Sequence, residues 1–341
     1  MNRNFAYFSD VIQLRFWAFF YLIFDRIFPW TKIKQQKRYI STYENNQNEN
    51  HNFNILSDPF YYTYSFFDGP EDFVMTMVKN PDGLVINPIT TIKNQEKPGV
   101  LFPAYYGLVN FNNYIRTKDQ EKLKVIKAHA DFIDQYILTD GSIKIWQDFE
   151  LFGQKSPWYS GITQGIVASF MMRAHLLFPD IGYDRKIKCI LDFMLDTCTD
   201  KPMLVNSRDE APWIEEYPMQ PPSMVLNGFI FSIISLNEYG AMFDDAHYIK
   251  TGEEMLRSLV KSLHRFTYPI GVKHNVFQIK FGNINYQALH SFQFYHLYKI
   301  TGNKLFQELA QKYFNITKWS LFCSYYGIKY NKNEFNLKFP R

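Results

Sequence analysis

A repeat of about 60 residues constrains the fold more than any other feature of the sequence. Four stretches that are almost wholly apolar in their first two turns recur at 105–119, 163–180, 226–240 and 286–303. Each stretch has a small residue near its start, and these residues, spaced 58, 63 and 60 positions apart, are Gly107, Gly165, Gly228 and Ala288. An amphipathic stretch follows each one, at 121–138, 184–195, 246–266 and 304–314. A helix that is apolar on all sides is buried, whereas an amphipathic helix covers it from outside. The pattern therefore predicts an incomplete (α/α) toroid of about four helical hairpins.

The segments between the hairpins complete this prediction of a mainly α fold. Short extended stretches return the chain to the next inner helix at 140–150, 201–210 and 268–285, and the last alternates as a β-hairpin does. Short β-hairpins are therefore expected at the cleft end of the toroid. The predicted domains are an apolar and then basic N-terminal helix, a linker with a small irregular or β region, and a toroidal domain, at 1–40, 41–98 and 99–341.

The N-terminal stretch 11–30 is rich in aromatic residues but contains Arg15, Asp25 and Arg26. Its uninterrupted apolar run is about half of the roughly 20 residues that span a bilayer. Two interpretations stay open: a helix that lies in a membrane interface, and a helix packed on the rest of the protein. Peripheral membrane association through 11–30 is an expectation on this basis. A location in the cytoplasm or at the cytoplasmic face of the membrane is expected because the three cysteines indicate no disulfide framework.

Charge and cysteine content exclude several classes of protein. With 37 basic and 33 acidic residues, the net charge of +4 is too small for a typical nucleic-acid binder. Three cysteines without metal spacing, Cys189, Cys198 and Cys323, indicate no disulfide framework or zinc site and favour a reducing compartment. Phosphate-loop, nucleophile-elbow and HExxH motifs are absent from the sequence, so we expect neither a metal nor another cofactor. Whether the chain forms a homodimer stays open.

Aromatic residues precede every inner helix and predict a common cleft. They make up 18% of the chain, more than core packing alone requires. If the repeats are equivalent, one end of the toroid collects Tyr105 with Tyr106, Trp158 with Tyr159, Glu216 with Tyr217, and Tyr286. The N-termini of the inner helices would point into the same cleft, and their dipoles favour an anionic ligand.

Two chemistries suit a sugar cleft with these residues. Glycoside hydrolysis needs two carboxylates, and Glu216, or its neighbour Glu215, would need Asp148, Glu150 or Asp209 as a partner. Adjacent residues of an extended loop point in opposite directions, so only one of the two glutamates is expected to face the cleft. The other chemistry is proton abstraction beside a uronate carboxylate, for which a tyrosine base and a cation that neutralises the carboxylate are suited.

Three blocks carry a resemblance to a known family. They read WYSGITQGIVASFMMRAHLLFPD, PWIEEYPMQPPSMVLNGFIFSIISL and NYQALHSFQF. Over roughly residues 100–315 the chain resembles the C-terminal domain of D-glucuronyl C5-epimerases, which convert D-glucuronate to L-iduronate within heparan-type polysaccharides. The resemblance implies an epimerase that acts on an anionic uronate polysaccharide such as heparosan, with Glu216, Tyr217 and Tyr286 as catalytic residues. It leaves Glu215 as a solvated or structural acid.

The expected substrate-binding residues include one departure from the family. Where the family has a Tyr-x-x-Arg-His run, this chain has Ile270 through His274, so that Lys273 replaces the arginine and only Tyr268, two residues away, could supply the phenol. A lysine keeps the positive charge but loses the bidentate fork of arginine. The expected substrate contacts are Lys273, Arg208, His274, His290, Trp158, Tyr159, Tyr106 and Gln293. The alternatives are a polysaccharide lyase that begins with the same proton abstraction and a non-catalytic glycan-binding or assembly protein.

Overall fold

The computed structural model describes residues 28–47, 55, 78–79, 83–86, 99–277 and 284–325. The described chain is mostly helical with short antiparallel strand pairs, which confirms the predicted α/α-barrel-like class. It forms two compact units, here called the central unit (Asn52–Ser258) and the terminal unit (Met1–His51 together with Leu259–Arg341). The domain boundaries at 40 and 98 stay a prediction.

The helices agree closely with the repeat. In chain order they are α1 (Pro29–Glu44), α2 (Leu101–Thr117), α3 (Gln120–Asp134), α4 (Gly161–Leu177), α5 (Tyr183–Leu195), α6 (Leu226–Phe243), α7 (Ala246–Ser262), α8 (Ile284–Thr301) and α9 (Lys304–Tyr325). The strands pair as β1 (Val78–Lys79) with β2 (Val85–Ile86), β3 (Leu204–Asn206) with β4 (Pro212–Ile214), and β5 (Thr267–Tyr268) with β6 (Gly271–Val272).

In the central unit the apolar helices form an inner layer. Helix α4 packs against both α2 and α6, and its residues from Gly161 through Ala174 are all buried. The amphipathic helices cover this layer: α3 packs on α2 and α5 packs on α4. Helix α7 packs on α6, where the rings of Tyr239 and Tyr248 lie 4.7 Å apart. The expected order of inner and outer helices is therefore present in this unit.

The glycines near the starts of the inner helices permit close helix contact. A Cβ atom at Gly107 would lie 2.2 Å from the ring of Phe170 on α4. One at Gly165 would lie 3.0 Å from both the Phe231 carbonyl oxygen and Ser232 Cα on α6. Side chains at these positions would force the helices apart, so the repeated small residue is a packing requirement of the inner layer.

A buried ion pair joins two of the inner helices. The Arg173 guanidinium on α4 donates through Nη2 and Nη1 to the two carboxylate oxygens of Glu238 on α6, at 2.7 and 3.0 Å. Both side chains are fully buried. The bidentate geometry, with a further bond of 2.9 Å from Nη1 to the Ser169 carbonyl, compensates part of the cost of removing two charges from water.

The extended connections are shorter than the sequence suggested. The segment 201–210 contributes β3, which pairs antiparallel with β4 so that Val205 lies opposite Trp213. In 140–150, Ile145 makes an isolated antiparallel bridge with Trp158. The hairpin expected over 268–285 is confirmed at its start, where β5 and β6 pair, and residues 278–283 lie outside the described residues.

In the terminal unit, helix α1 packs on segments from the other end of the chain. Gln36 Nε2 donates to the Lys261 carbonyl at 2.8 Å, and Asn303 Nδ2 donates to the Tyr43 carbonyl at 2.9 Å. Residues 41–44 of the predicted linker are helical, because α1 continues to Glu44 with Tyr43 buried against Phe306. Residues 48–54 of that linker lie outside the described residues.

The expectation of membrane association falls mainly on undescribed residues. Residues 11–27 lie outside the described part of the chain. At the start of α1, Trp30 and Ile33 are 58% and 53% exposed. No helix among the described residues is both long enough and apolar enough to span a bilayer.

Candidate active site

Strand β4 runs into a loop that is held against the start of α4. The Glu215 backbone N–H donates to the Met203 carbonyl at 2.8 Å, and the Gly161 N–H donates to the Glu215 carbonyl at 3.0 Å. The Ser160 hydroxyl donates to the Glu216 carbonyl at 2.7 Å. Residues on both sides of the loop thus fix its backbone, and the two adjacent glutamates take different environments.

Glu215 is a structural acid. Its carboxylate accepts hydrogen bonds from the Ser223 N–H at 2.9 Å, the Met224 N–H at 2.8 Å and the Ser223 hydroxyl. The side chain is fully buried, so of the two roles expected for it, structural or solvated, the solvated one is wrong. Burial raises the pKa of Glu215 to about 7, against the opposing effects of these donors and of the Arg208 charge.

Glu216 is buried without comparable compensation. It is 6% exposed, and its Oε2 atom has no hydrogen-bond partner among the described residues. Burial raises the pKa of Glu216 to about 7, although a hydrogen bond with the Tyr217 side chain lowers it. The carboxyl group fits because position 228 is glycine: a Cβ atom there would lie 2.6 Å from Glu216 Oε2. Such a group can hold or release a proton near neutral pH, as a general acid or base requires.

Aromatic rings fix the orientation of Tyr217. Its ring stacks on Phe152 with a centroid separation of 4.2 Å and an interplanar angle of 2°, and on Phe149 at 5.0 Å. The Trp158 ring lies 5.6 Å away, and its Nε1 donates to the Gln147 carbonyl at 2.7 Å. Because these contacts hold the ring plane, the hydroxyl of Tyr217 has a defined position relative to Glu216.

Glu216 and Tyr217 open onto a cavity of about 290 Å³ in the central unit. The cavity is lined by Gly99, Val100, Leu101, Phe102, Lys144, Ile145, Trp146, Gln147, Phe149, Trp158, Ser160, Ile162, Thr163, Glu216 and Tyr217. A largely apolar, aromatic wall with a few polar groups is typical of a ligand site. The sequence reasoning named Glu216, Tyr217 and Trp158 but missed Lys144, Trp146 and Gln147. These three residues fall within the return segment 140–150, whose pattern indicated an extended connection but no ligand contact.

Three expected substrate contacts lie outside the lining of this cavity. The Tyr106 ring packs on His129 at 5.1 Å, and the Tyr159 ring packs on Phe193 at 4.8 Å. Arg208 is exposed in the turn between β3 and β4, and its positive charge opposes the rise in the pKa of Glu215. Substrate contacts by these side chains stay predictions.

The remaining expected residues belong to the terminal unit, where Gln287 braces their backbone. The Val272 N–H donates to Gln287 Oε1 at 2.7 Å, and Gln287 Nε2 donates to the Val272 carbonyl at 2.8 Å. A Cβ atom on Gly271 would come within 3.1 Å of the same Gln287 oxygen. This reciprocal pair ties β6, and with it the following residues Lys273 and His274, to the first turn of α8.

His274, Tyr286 and His290 form a cluster at this junction. The His274 ring lies 4.4 Å from Tyr286 and 6.4 Å from His290, and His290 Nδ1 lies 3.1 Å from Gln293 Oε1. Lys273 is 9% exposed beside them in the chain. The structure thus brings His274, Tyr286, His290 and Gln293 together, with Lys273 adjacent to His274 in the chain.

Both histidines of this cluster are neutral at pH 7. Burial lowers the pKa of His274 to about 4 and that of His290 to about 3. His274 Nδ1 and His290 Nε2 are buried with no hydrogen-bond partner among the described residues. Neutral imidazoles with one nitrogen available suit hydrogen bonding to hydroxyls or to a tyrosine, rather than charge pairing with a carboxylate.

The carboxylates that hydrolysis would need do not line the cavity. Asp148 accepts from Lys155 Nζ at 3.0 Å and from the Ser156 N–H at 2.8 Å, and these donors lower its pKa. Glu150 is exposed, and neither it nor Asp209 is among the lining residues. Within the described chain, no group of three or more His, Cys, Asp or Glu side chains is arranged to hold a metal ion.

Comparison with known sequences matches this chain to a family. Residues 113–315, more than half of the chain, match the family described as D-glucuronyl C5-epimerase C-terminus. The chain belongs to this family. Membership confirms the resemblance and supports a uronate epimerase or a related carbohydrate-active enzyme with a carbohydrate substrate.

Several solved structures are similar at low sequence identity. The Lin0763 protein from Listeria innocua has a TM-score of 0.49 at 12% identity, covering 75% of this chain and 70% of its own. A GH76 α-mannanase from Bacteroides thetaiotaomicron has a TM-score of 0.49 at 12% identity, covering 83% of each chain. Cellobiose 2-epimerase from Bacillus thermoamylovorans has a TM-score of 0.47 at 9% identity, covering 85% of this chain and 72% of its own. Likenesses this distant establish no function, and the family membership rests on the sequence match.

Proposed function

We propose that the protein is a polysaccharide uronate C5-epimerase that converts D-glucuronate to L-iduronate within a glucuronate-containing polymer of the heparosan type. One observation carries the proposal: Glu216 and Tyr217 hydrogen-bond to each other at the wall of an aromatic cavity, and burial raises the pKa of the carboxyl group to about 7. The family membership supports the same reaction class.

The chemistry requires a proton to leave one face of C5 and a proton to arrive on the other. A base removes the C5 proton, and the electron pair of the C–H bond delocalises into the adjacent carboxylate, which becomes a dianion. Protonation of C5 from the opposite face restores the carboxylate and inverts the centre, with no net redox change. A cation near the carboxylate stabilises the dianion, since this is where negative charge develops.

Tyr217 is suited to one of the two proton transfers. Its hydroxyl contacts Glu216, which can accept a proton near neutral pH and thereby lower the cost of forming phenolate. The stack on Phe149 and Phe152 holds the ring while the proton moves. Glu216 would act as the proton acceptor or relay, and Tyr217 as the group that reaches C5.

Tyr286 is proposed as the second proton handler, on the basis of the family resemblance. In the terminal unit its ring contacts His274, whose neutral imidazole is suited to hydrogen-bond the phenol or phenolate. Lys273 is proposed to help bind the substrate carboxylate in place of the family arginine. A monodentate lysine orients a carboxylate less rigidly than a guanidinium fork, so the preferred polymer need not be that of the relatives.

Solvent exchange tests the reaction directly. The protein is incubated with heparosan in deuterated water, and NMR and mass spectrometry then measure deuterium at C5 and the iduronate signals. Deuterium together with iduronate supports the epimerase. Release of an oligosaccharide with an ultraviolet-absorbing C4–C5 double bond would instead identify a lyase, which begins with the same proton abstraction.

Two conservative variants assign the roles. Tyr217→Phe and Tyr286→Phe each keep the ring and remove the hydroxyl that transfers the proton, and a proton-transfer group contributes about 10²–10⁴-fold to rate. We expect exchange to fall by that order in both, with unchanged oligosaccharide binding. Binding without exchange across a panel of uronate polymers, unaffected by either variant, would refute the enzyme and favour a glycan-binding protein.

A further inference from the structure

We propose that Lys144, together with the N-termini of α2 and α4, forms an anion-binding subsite in the Glu216–Tyr217 cavity, and that its ligand is a carboxylate of the polysaccharide. The inference rests on the proposed function for the identity of the ligand, but its test measures binding and does not depend on turnover. Lys144 has no counterpart among the residues that the family resemblance assigns.

Lys144 is the cationic side chain among the residues that line this cavity. It follows Ile143 in the return segment, and the adjacent Ile145 exchanges backbone hydrogen bonds of 2.8 and 3.2 Å with Trp158. Trp158 in turn packs on Tyr217. Lys144 is therefore placed by the same pairing that forms the aromatic wall beside the reactive pair.

The ammonium group of Lys144 has no carboxylate partner within the described chain. Its Nζ lies 5.9 Å from the centroid of the Trp146 ring, a cation–π contact at the outer limit of that interaction. The nearby Lys155, in contrast, is paired with Asp148 at 3.0 Å. A half-buried lysine that faces a cavity without an internal counter-ion can gain a full ion pair from an anionic ligand.

Two helix N-termini meet the same cavity. Leu101 and Phe102 begin α2, and Ile162 and Thr163 lie in the first turn of α4; all four line the wall. Neither helix has a side-chain hydrogen bond that caps its N-terminus. Helix N-termini without such caps attract anions through their dipole and their first-turn N–H groups.

Buried polar atoms supply a second, independent indication of a ligand. Thr163 is 2% exposed, and its Oγ1 atom has no hydrogen-bond partner among the described residues, although the residue lines the cavity. Ser160, the N-cap of α4, donates its hydroxyl to the Glu216 carbonyl instead of capping the helix. Buried polar groups are normally satisfied, so an open hydroxyl beside an uncapped helix indicates a missing hydrogen-bonding partner.

A carboxylate fits this arrangement better than a neutral sugar hydroxyl. A single ammonium and two positive helix ends favour one compact negative charge. In a uronate polymer the anionic group attached to C5 is the carboxylate itself, so binding it here would place C5 close to the wall that carries Glu216 and Tyr217. Lys144 would then neutralise the charge that develops on the carboxylate when the C5 proton leaves.

Binding of matched oligosaccharides tests the subsite. A heparosan hexasaccharide and its carboxyl-reduced counterpart, in which each glucuronate is replaced by glucose, are titrated by calorimetry into the wild-type protein and into Lys144→Met. Lys155→Met serves as the matched control, because it removes the same charge from an exposed, paired lysine that does not line the cavity. Circular dichroism and thermal unfolding verify that each variant is folded.

We expect Lys144→Met to weaken binding of the acidic hexasaccharide about tenfold or more, as for the loss of a charged hydrogen bond. Binding of the reduced hexasaccharide should be weak and insensitive to the substitution, and Lys155→Met should change neither. Equal affinity of wild type and Lys144→Met for the acidic ligand would overturn the proposal, as would an equal loss for both ligands.

The same titration separates this inference from the proposed reaction and from sulfate recognition. A Lys144-dependent preference for the acidic ligand, without deuterium exchange, would keep the subsite and reject the epimerase. Deuterium exchange without any effect of Lys144→Met on the affinity for the acidic ligand would support the epimerase and reject the subsite. If an N-sulfated, carboxyl-reduced hexasaccharide regains the full Lys144-dependent affinity, the subsite selects sulfate and the carboxylate assignment is wrong.

Discussion

Replacing Glu216 with glutamine should stabilise the protein above neutral pH. The wild-type carboxyl group is buried with a raised pKa, so the folded state holds its proton more tightly than the unfolded state does. The stability associated with this group is fully present below the unfolded pKa and is lost as the pH rises through the folded value. The window therefore runs from about pH 4.5 to about pH 7. Glutamine has the same shape and does not ionise.

The magnitude follows from that window. The pKa rises from the ordinary value of 4.5 to about 7, and each pH unit corresponds to about 1.4 kcal/mol, so ionisation inside the fold costs about 3 kcal/mol. Glu216 is 6% exposed, so solvent screens little of this cost. We expect the unfolding free energy of Glu216→Gln to equal that of wild type near pH 4.5 and to exceed it by about 2–3 kcal/mol at pH 8.

Urea denaturation across this pH range measures the difference, and Glu215→Gln is the contrasting variant. Three donors point at the Glu215 carboxylate, and the amide –NH₂ of glutamine would face at least one of them. Burial raises the pKa of both carboxyl groups to about 7, so the gain at high pH is common to the two variants. Glu215→Gln should therefore be less stable than Glu216→Gln at every pH, by about 1–3 kcal/mol. If Glu216→Gln is no more stable than wild type at pH 8, or if the two variants behave alike, the assignment of different environments to the adjacent glutamates is refuted.

Three further substitutions test other parts of the structure. Gly228→Ala should reduce activity strongly, because the new Cβ atom would meet the Glu216 carboxylate. Gly165→Ala should instead cost about 1–3 kcal/mol of stability, because it separates two helices. Similar rates of C5 exchange in the two variants would contradict the distinct roles of these glycines. Arg173→Met leaves Glu238 buried without its bidentate partner and should lower the free energy of unfolding, measured by urea titration, by about 3–5 kcal/mol. A decrease below about 1 kcal/mol would show that water compensates the buried carboxylate. The pKa of His290 is lowered in the fold, so the stability that this group contributes is present above its unfolded pKa and is lost as the pH falls from about 6.5 towards 3. His290→Gln should reduce this loss of stability at acid pH. An unchanged dependence of the unfolding free energy on pH would exclude a buried neutral imidazole.

The periodic part of the fold could be predicted from the sequence. Each inner helix is apolar on every side, and each outer helix has one apolar face, so their order follows from burial alone. The glycine positions were visible as a repeat, and contacts such as that between Gly107 and Phe170 give the reason for it. Helix ends were less predictable, because α1 continues through Tyr43 on the strength of contacts with residues more than 250 positions away.

The site could be predicted where it depended on local order, and less well where it depended on packing. Alternation along the loop indicated that Glu215 and Glu216 face opposite ways, but only the positions of Ser223 and Met224 show which one is clamped. Lys144 was missed because a single lysine in an extended segment has no pattern of its own. It becomes significant only when the bridge between Ile145 and Trp158 brings that segment to the cavity wall.

The discontinuous terminal unit has a consequence for synthesis on the ribosome. Helix α1 emerges early, yet its partner Lys261 is 225 positions beyond Gln36, and Asn303 is 260 positions beyond Tyr43. At about 5–20 residues per second, α1 waits on the order of 10–50 s for these partners. The central unit is continuous in sequence and can fold during that time. A nascent chain that ends at residue 258 and continues into a linker long enough to fill the ribosomal exit tunnel should therefore expose an α1 that chaperones can bind, while its central unit already resists protease.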